Sequence, residues 1–138
     1  PVHYRHVERG RPRIEAMCAR FQVPADCREL ALLALAECER VHRVGEVRAG
    51  PVAALLARVG AFDHPERYAQ LMMLCACDYR AYGGHAPRDY PKAALLGVAL
   101  KACAAIDAGA LDADALQEAR AAAIATAFRS ERWSDSQA

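Results

Sequence analysis

At 138 residues and a formal net charge of +1, the chain has the size of one domain and no global field that would draw in nucleic acid. Hydrophobic residues make up 54% of it and aromatics only 7%. Leucine and alanine outweigh β-branched residues, a bias that favours helix over strand. A chain of this length buries roughly 70% of its unfolded surface, so the core needs no staple.

Six cysteines stand at 18, 27, 38, 75, 77 and 103, with no Cys-x-x-Cys pair. On apolar helical faces they read as buried free thiols in a reducing cytosol. No signal peptide, transmembrane run or lipidation motif is present, so a cytoplasmic location is expected. The chain begins at Pro1 rather than methionine, and it is expected to be a C-terminal fragment of a larger enzyme.

Residues 1–9 have no period and read as a loop. Gly10 and Pro12 are expected to open a first helix with Ile14, Met17, Cys18 and Phe21 inward, closed by Val23-Pro24. A second helix runs from near Pro24 to about Arg43. Its centre, Leu30 to Ala36, is apolar nearly all round and is expected in the middle of the core. Gly45 and Gly50-Pro51 bracket a linker, and a third helix follows with Val52, Leu55, Leu56 and Val59 inward. Asp63 is expected to cap a fourth, with Pro65 in its first turn and Tyr68, Leu71, Met72, Cys75, Tyr79 and Tyr82 buried.

Gly83-Gly84 stops that helix and Pro91 starts a fifth, with Leu95, Leu96, Ala99, Cys103 and Ile106 on one face and Gly109 at its end. Asp112 or Asp114 caps a sixth, carrying Leu116, Ala119, Ala123 and Ala127. Residues 130–138 read as a polar, frayed tail. Nothing alternates with period two. The expected architecture is a single all-α domain over residues 1–138, a compact bundle of about six helices with short Gly/Pro connectors.

The segment from Asp78 to Lys92 reads neither as helix nor as simple linker, for it holds arginines, aspartates, tyrosines and His85. A second basic cluster is Arg5, Arg9, Arg11 and Arg13, opposed only by Glu8. Arginine interleaved with tyrosine suits an RNA surface that tracks the backbone and stacks bases. Candidate RNA contacts are therefore Arg5, Arg9, Arg11, Arg13, Arg80, Arg88, Tyr90 and Lys92. Tyrosines at helical spacing also suit a core; for Tyr79 and Tyr82 that reading is the stronger, and at Tyr90 the two stand level. His3, His6 and His42 are candidate ligands for a transition metal, with Glu39 or Asp78 as carboxylates. No nucleophile elbow, phosphate-cradling glycine loop, Rossmann fingerprint or His-Glu-x-x-His occurs, so no catalytic residue is assigned.

Several motifs then fall into one order. Pro1-x-His3-x-x-His6-x-x-x-Gly10, Met17-Cys18-Ala19-Arg20-Phe21-Gln22-Val23-Pro24, the 25–31 run, Ala76-Cys77-Asp78-Tyr79-Arg80-Ala81-Tyr82 and Tyr90-Pro91 follow one another. In that order and spacing the chain resembles the C-terminal helical region of bacterial CCA-adding tRNA nucleotidyltransferases, in the branch with an HD-type phosphohydrolase domain. The resemblance implies a tRNA-binding helical body of an enzyme that builds or repairs the tRNA 3′ CCA end from CTP and ATP. Nucleotidyl transfer would rest on Mg2+ held by an N-terminal palm domain of the same polypeptide. This chain has no such palm elements.

It also departs from the family pattern. The upstream His-Asp doublet is missing, Cys38-Glu39 replaces a second His-Asp, and Ala76 and Tyr82 replace a glutamate and an arginine. His3, His6 and His42 match family histidines. The resemblance thus leaves two alternatives beside the tRNA-binding body. One is a degenerate HD-type phosphohydrolase acting on 2′,3′-cyclic or 2′-phosphates with a transition metal. The other is a non-catalytic helical interaction domain.

Overall fold

The computed structural model describes residues 5–82 and 89–137, with side chains described through residue 131. Among the described residues it has six α-helices and no strand: α1 (His6–Arg20), α2 (Ala25–His42), α3 (Ala49–Arg58), α4 (Pro65–Ala81), α5 (Pro91–Cys103) and α6 (Ala113–Gln137). Short 3-10 turns at Val44–Glu46 and Ala108–Ala110 join neighbours. The all-α expectation holds.

Helices α3, α5 and α6 pack on one another, α2 packs on α4 and meets α3, and α1 lies chiefly against α2. The core runs through the middle of this stack. Val41, Val44, Val52, Leu56, Val59, Leu71, Cys75, Leu96 and Ile124 are all buried in it. The α3 stripe is buried as its spacing predicts, and so are Tyr68, Leu71, Met72 and Cys75 on α4. Pro91 is the first residue of α5. The Asp112 carboxylate accepts from the Ala115 N–H at 2.8 Å and so starts α6.

Several expectations are corrected. α1 begins at His6, four residues before Gly10, and runs through Pro12. Met17, and Phe21 just past the helix end, are 62% and 66% exposed, since among the described residues α1 packs chiefly on α2. The apolar centre of α2 is only half-buried: α1 and α4 flank it while the core gathers around its far end, at Glu37 and Val41. Asp63 does not cap α4. His64 holds the cap position with no side-chain cap bond, since the Gly60 turn places the helix start one residue later.

Tyr82 is exposed and Tyr79 half-buried. α5 ends at Cys103, and Gly109 serves the next turn instead, donating its N–H to Asp107. Cys27 and Cys77 are exposed rather than buried, although all six thiols are free. The backbone of α6 stays helical through Gln137, into the stretch whose composition reads as a tail. The Gly83-Gly84 corner lies outside the described residues.

A candidate metal centre between α2 and α4

Cys38 and His42 are one turn apart on α2, so both side chains leave the same face. Cys75 and Asp78, three residues apart on α4, likewise share a face. Packing of α2 on α4 brings the two pairs together. His42 sits at the centre. Its Nε2 lies 2.8 Å from Asp78 Oδ2 and 3.4 Å from Cys38 Sγ, and its Nδ1 lies 2.6 Å from the Tyr90 hydroxyl. A carboxylate only accepts, so Nε2 carries the proton here, and Nδ1 accepts from Tyr90.

The thiols are tuned by their surroundings. A hydrogen bond from Cys75 and the neighbouring His42 outweigh partial burial and bring the Cys38 thiol down to about 7. Cys75 is pushed far up, because its proton serves Cys38 and it is buried. Burial also raises the Tyr90 hydroxyl, with the nearby thiols adding to the effect. The two thiols therefore differ in kind: Cys38 gives up its proton more readily than an ordinary thiol, and Cys75 keeps its own.

Cys38, His42 and Asp78 open on a cavity of about 480 Å³ that His6, Leu35 and Leu74 also line. A smaller cavity of about 270 Å³ lies on the other side of His42, between Tyr79, Tyr82, Tyr90 and Lys92.

The residues singled out from sequence fall in different places. His3 and Arg88 lie outside the described residues. His6 lines the same cavity as His42, but its Nε2 faces Glu39 Oε2 at 3.9 Å and it is not among the converging donors. Among the described residues the donors that converge are Cys38, His42 and Asp78. Tyr90 is turned inward: it is 6% exposed, with its ring 5.3 Å from that of Tyr79. A ring so enclosed packs rather than stacks on a base. Arg5, Arg9, Arg11 and Arg13 are exposed at the start of α1 and along its first half, where Arg5 pairs with Glu8 and Arg11 with Glu15. Arg80 is exposed on the last turn of α4, and Lys92 is half-buried on α5.

Sequence reading missed Glu37. It is 7% exposed and grips Arg58 of α3 through two bonds of 3.1 and 3.3 Å, with Arg40 at 3.3 Å. Arg40, Arg43 and Arg58 line another cavity, of about 590 Å³. Glu37 and Glu46 answer them and Glu39 lies beside them, so that basic wall is discharged locally. A spacing rule does not reveal Arg58, twenty-one residues away.

No family model matches the chain, and no solved structure does. Curated proteins do match. A multifunctional CCA protein of Cupriavidus metallidurans is 39% identical over 91% of this chain and 33% of its own length. One from Xanthomonas oryzae pv. oryzae is 43% identical over 85% of this chain and 28% of its own. One from Xanthomonas euvesicatoria pv. vesicatoria is 40% identical over 94% and 34%. The chain is similar to the C-terminal region of a CCA-adding enzyme.

It spans about a third of the length of these relatives. The family resemblance therefore rests on most of this chain and not on its motifs alone. It also gives the cluster a context. Cys38 is the residue that departs from the His-Asp pattern expected from the resemblance, and its sulfur faces His42 in space. Among the described residues no helix is long and apolar enough to cross a membrane.

Proposed function

We propose that this chain is the tRNA-contacting helical body of a CCA-adding tRNA nucleotidyltransferase. The observation that carries the reading is identity of about 40% to proteins named multifunctional CCA protein across most of the chain. Nucleotidyl transfer from CTP and ATP, with its Mg2+, would belong to an N-terminal palm domain of the same polypeptide. The helical body would hold the tRNA so that its 3′ end reaches that palm.

The exposed arginines of α1 supply the contact surface. Arg9 and Arg13 are four residues apart and share one helix face. Arg5 lies next to that face at the cap, and Arg80 and Lys92 offer further charge from α4 and α5. Guanidinium groups in such a row suit a phosphate backbone. Tyr90 is not part of this surface, because its ring is enclosed.

The test is tRNA binding as a function of salt. Each phosphate neutralised contributes about 0.7 to 0.9 to the slope of log K against log salt. Arg9→Ala with Arg13→Ala is expected to weaken tRNA binding and lower that slope by about 1 to 2. Binding to tRNA no tighter than to heparin, or an unchanged slope in the double variant, overturns the reading.

A further inference from the structure

We propose that Cys38, His42 and Asp78 bind one divalent transition metal of the zinc class, with a further coordination position open to the adjoining cavity. The argument starts from the donor atoms. A sulfur, a ring nitrogen and a carboxylate oxygen lie within 4.8 Å of one another, from two helices that hold them face to face. Hard cations such as Mg2+ and Ca2+ take oxygen donors, whereas a thiolate beside an imidazole selects Zn2+ or Co2+.

The distances suit insertion of such an ion. With the usual zinc bond lengths, tetrahedral donors stand about 3.5 Å apart for sulfur and nitrogen and about 3.3 Å apart for nitrogen and oxygen. Cys38 Sγ and His42 Nε2 are already 3.4 Å apart. His42 Nε2 and Asp78 Oδ2, at 2.8 Å, need to part by about half an ångström, with the metal replacing the shared proton. Asp78 stands near the end of α4 with its side chain half exposed, so it has room to move.

Tyr90 completes the arrangement. A metal-bound imidazole needs a partner on its other nitrogen, to fix the tautomer and the ring plane. The Tyr90 hydroxyl is 2.6 Å from Nδ1 and anchored by a buried ring. A hydroxyl accepts as readily as it donates. It serves the metal-free tautomer by donating to Nδ1, and the metal-bound one by accepting from Nδ1–H. The donor set differs from one built on His3, His6 and His42: two of its three members come from cysteine and aspartate.

The test uses the 138-residue chain, kept reduced, stripped with a chelator and titrated with Co2+. The expected result is one Co2+ per chain with a thiolate-to-cobalt charge-transfer band, displaced by Zn2+. Cys38→Ser abolishes the band. Asp78→Asn weakens binding at least about tenfold, and Tyr90→Phe lowers affinity by about 10- to 100-fold, as loss of an outer partner does. Cys77→Ser and Cys27→Ser, at exposed thiols, and His6→Ala leave it unchanged. Circular dichroism confirms that each variant is folded before it is scored. Absence of the band in the wild type, its survival in Cys38→Ser, or its loss in Cys77→Ser, Cys27→Ser or His6→Ala overturns the proposal.

Discussion

Replacing Glu37 by glutamine keeps the side chain's shape and removes its charge. In the native chain the carboxylate is nearly enclosed, while its partners Arg58 and Arg40 keep 47% and 62% of their side chains in solvent. A fully buried pair broken on one side costs about 3 to 5 kcal/mol. Solvent around both guanidiniums screens much of that, and exposed pairs are worth about 0 to 1 kcal/mol. The Arg58 fork makes two bonds from α3 to α2, so it lies between these limits.

Glu37→Gln is therefore expected to cost about 1 to 2 kcal/mol, intermediate between the two cases. For a domain of this size that is a fall of about 3 to 8 °C in Tm. The assay is thermal unfolding followed by circular dichroism, with Arg58→Ala completing a double-mutant cycle. A coupling of about 1 kcal/mol is expected between the two positions. A Glu37→Gln variant within about 0.5 kcal/mol of wild type, or a cycle that closes to zero, would refute the reasoning.

Two further outcomes follow from the fold. Gly97 lies inside α5 on an exposed face with nothing within 4 Å of where a Cβ would stand. Gly97→Ala should raise stability by about 0.8 to 1 kcal/mol, read from the denaturant midpoint at constant m-value, and a lowered midpoint would contradict the open surface drawn here. Burial holds the Tyr68 hydroxyl up to about 12 from its ordinary 10.0, so the folded chain keeps a proton that the unfolded chain sheds. Stability should then fall as pH rises from about 10 towards 12, and Tyr68→Phe should flatten that fall by up to one proton's worth of slope, leaving it unchanged only if the hydroxyl meets water.

The sequence made the α3 and α4 stripes legible because each helix there has neighbours on one side, so a single face is apolar. It misled at α2, where alanine and leucine run all round. Such a run says that a helix is surrounded, but not that the core surrounds it. Here Leu30, Leu33 and Ala34 reach the core's edge while α1 and α4 flank the helix, so its centre is only half-buried. Met17 and Phe21 fail for the complementary reason: they have helical spacing, but among the described residues no apolar face covers them and both stay exposed.

At the candidate site, His42 and Asp78 were readable as donors, and Cys38 stood out as a departure from the family pattern. Their convergence depends on the α2–α4 register, which no local pattern encodes. Tyr90, level between stacking and packing on sequence, is decided by the His42 nitrogen that awaits its hydroxyl. Glu37 looks like the solvated end of an apolar run until α3 folds over it.

The lean attachment of α1 has a consequence for the chain's energy landscape. This helix rests chiefly on α2, leaves large apolar side chains in water, and lacks one backbone donor at Pro12. With no buried residue, it falls at the low end of the local-unfolding scale, below α3 with its four buried residues. His6, on its first turn, lines the cavity beside Cys38. A helix with little to lose by letting go is thus also a wall of the chamber where sulfur, imidazole and carboxylate meet.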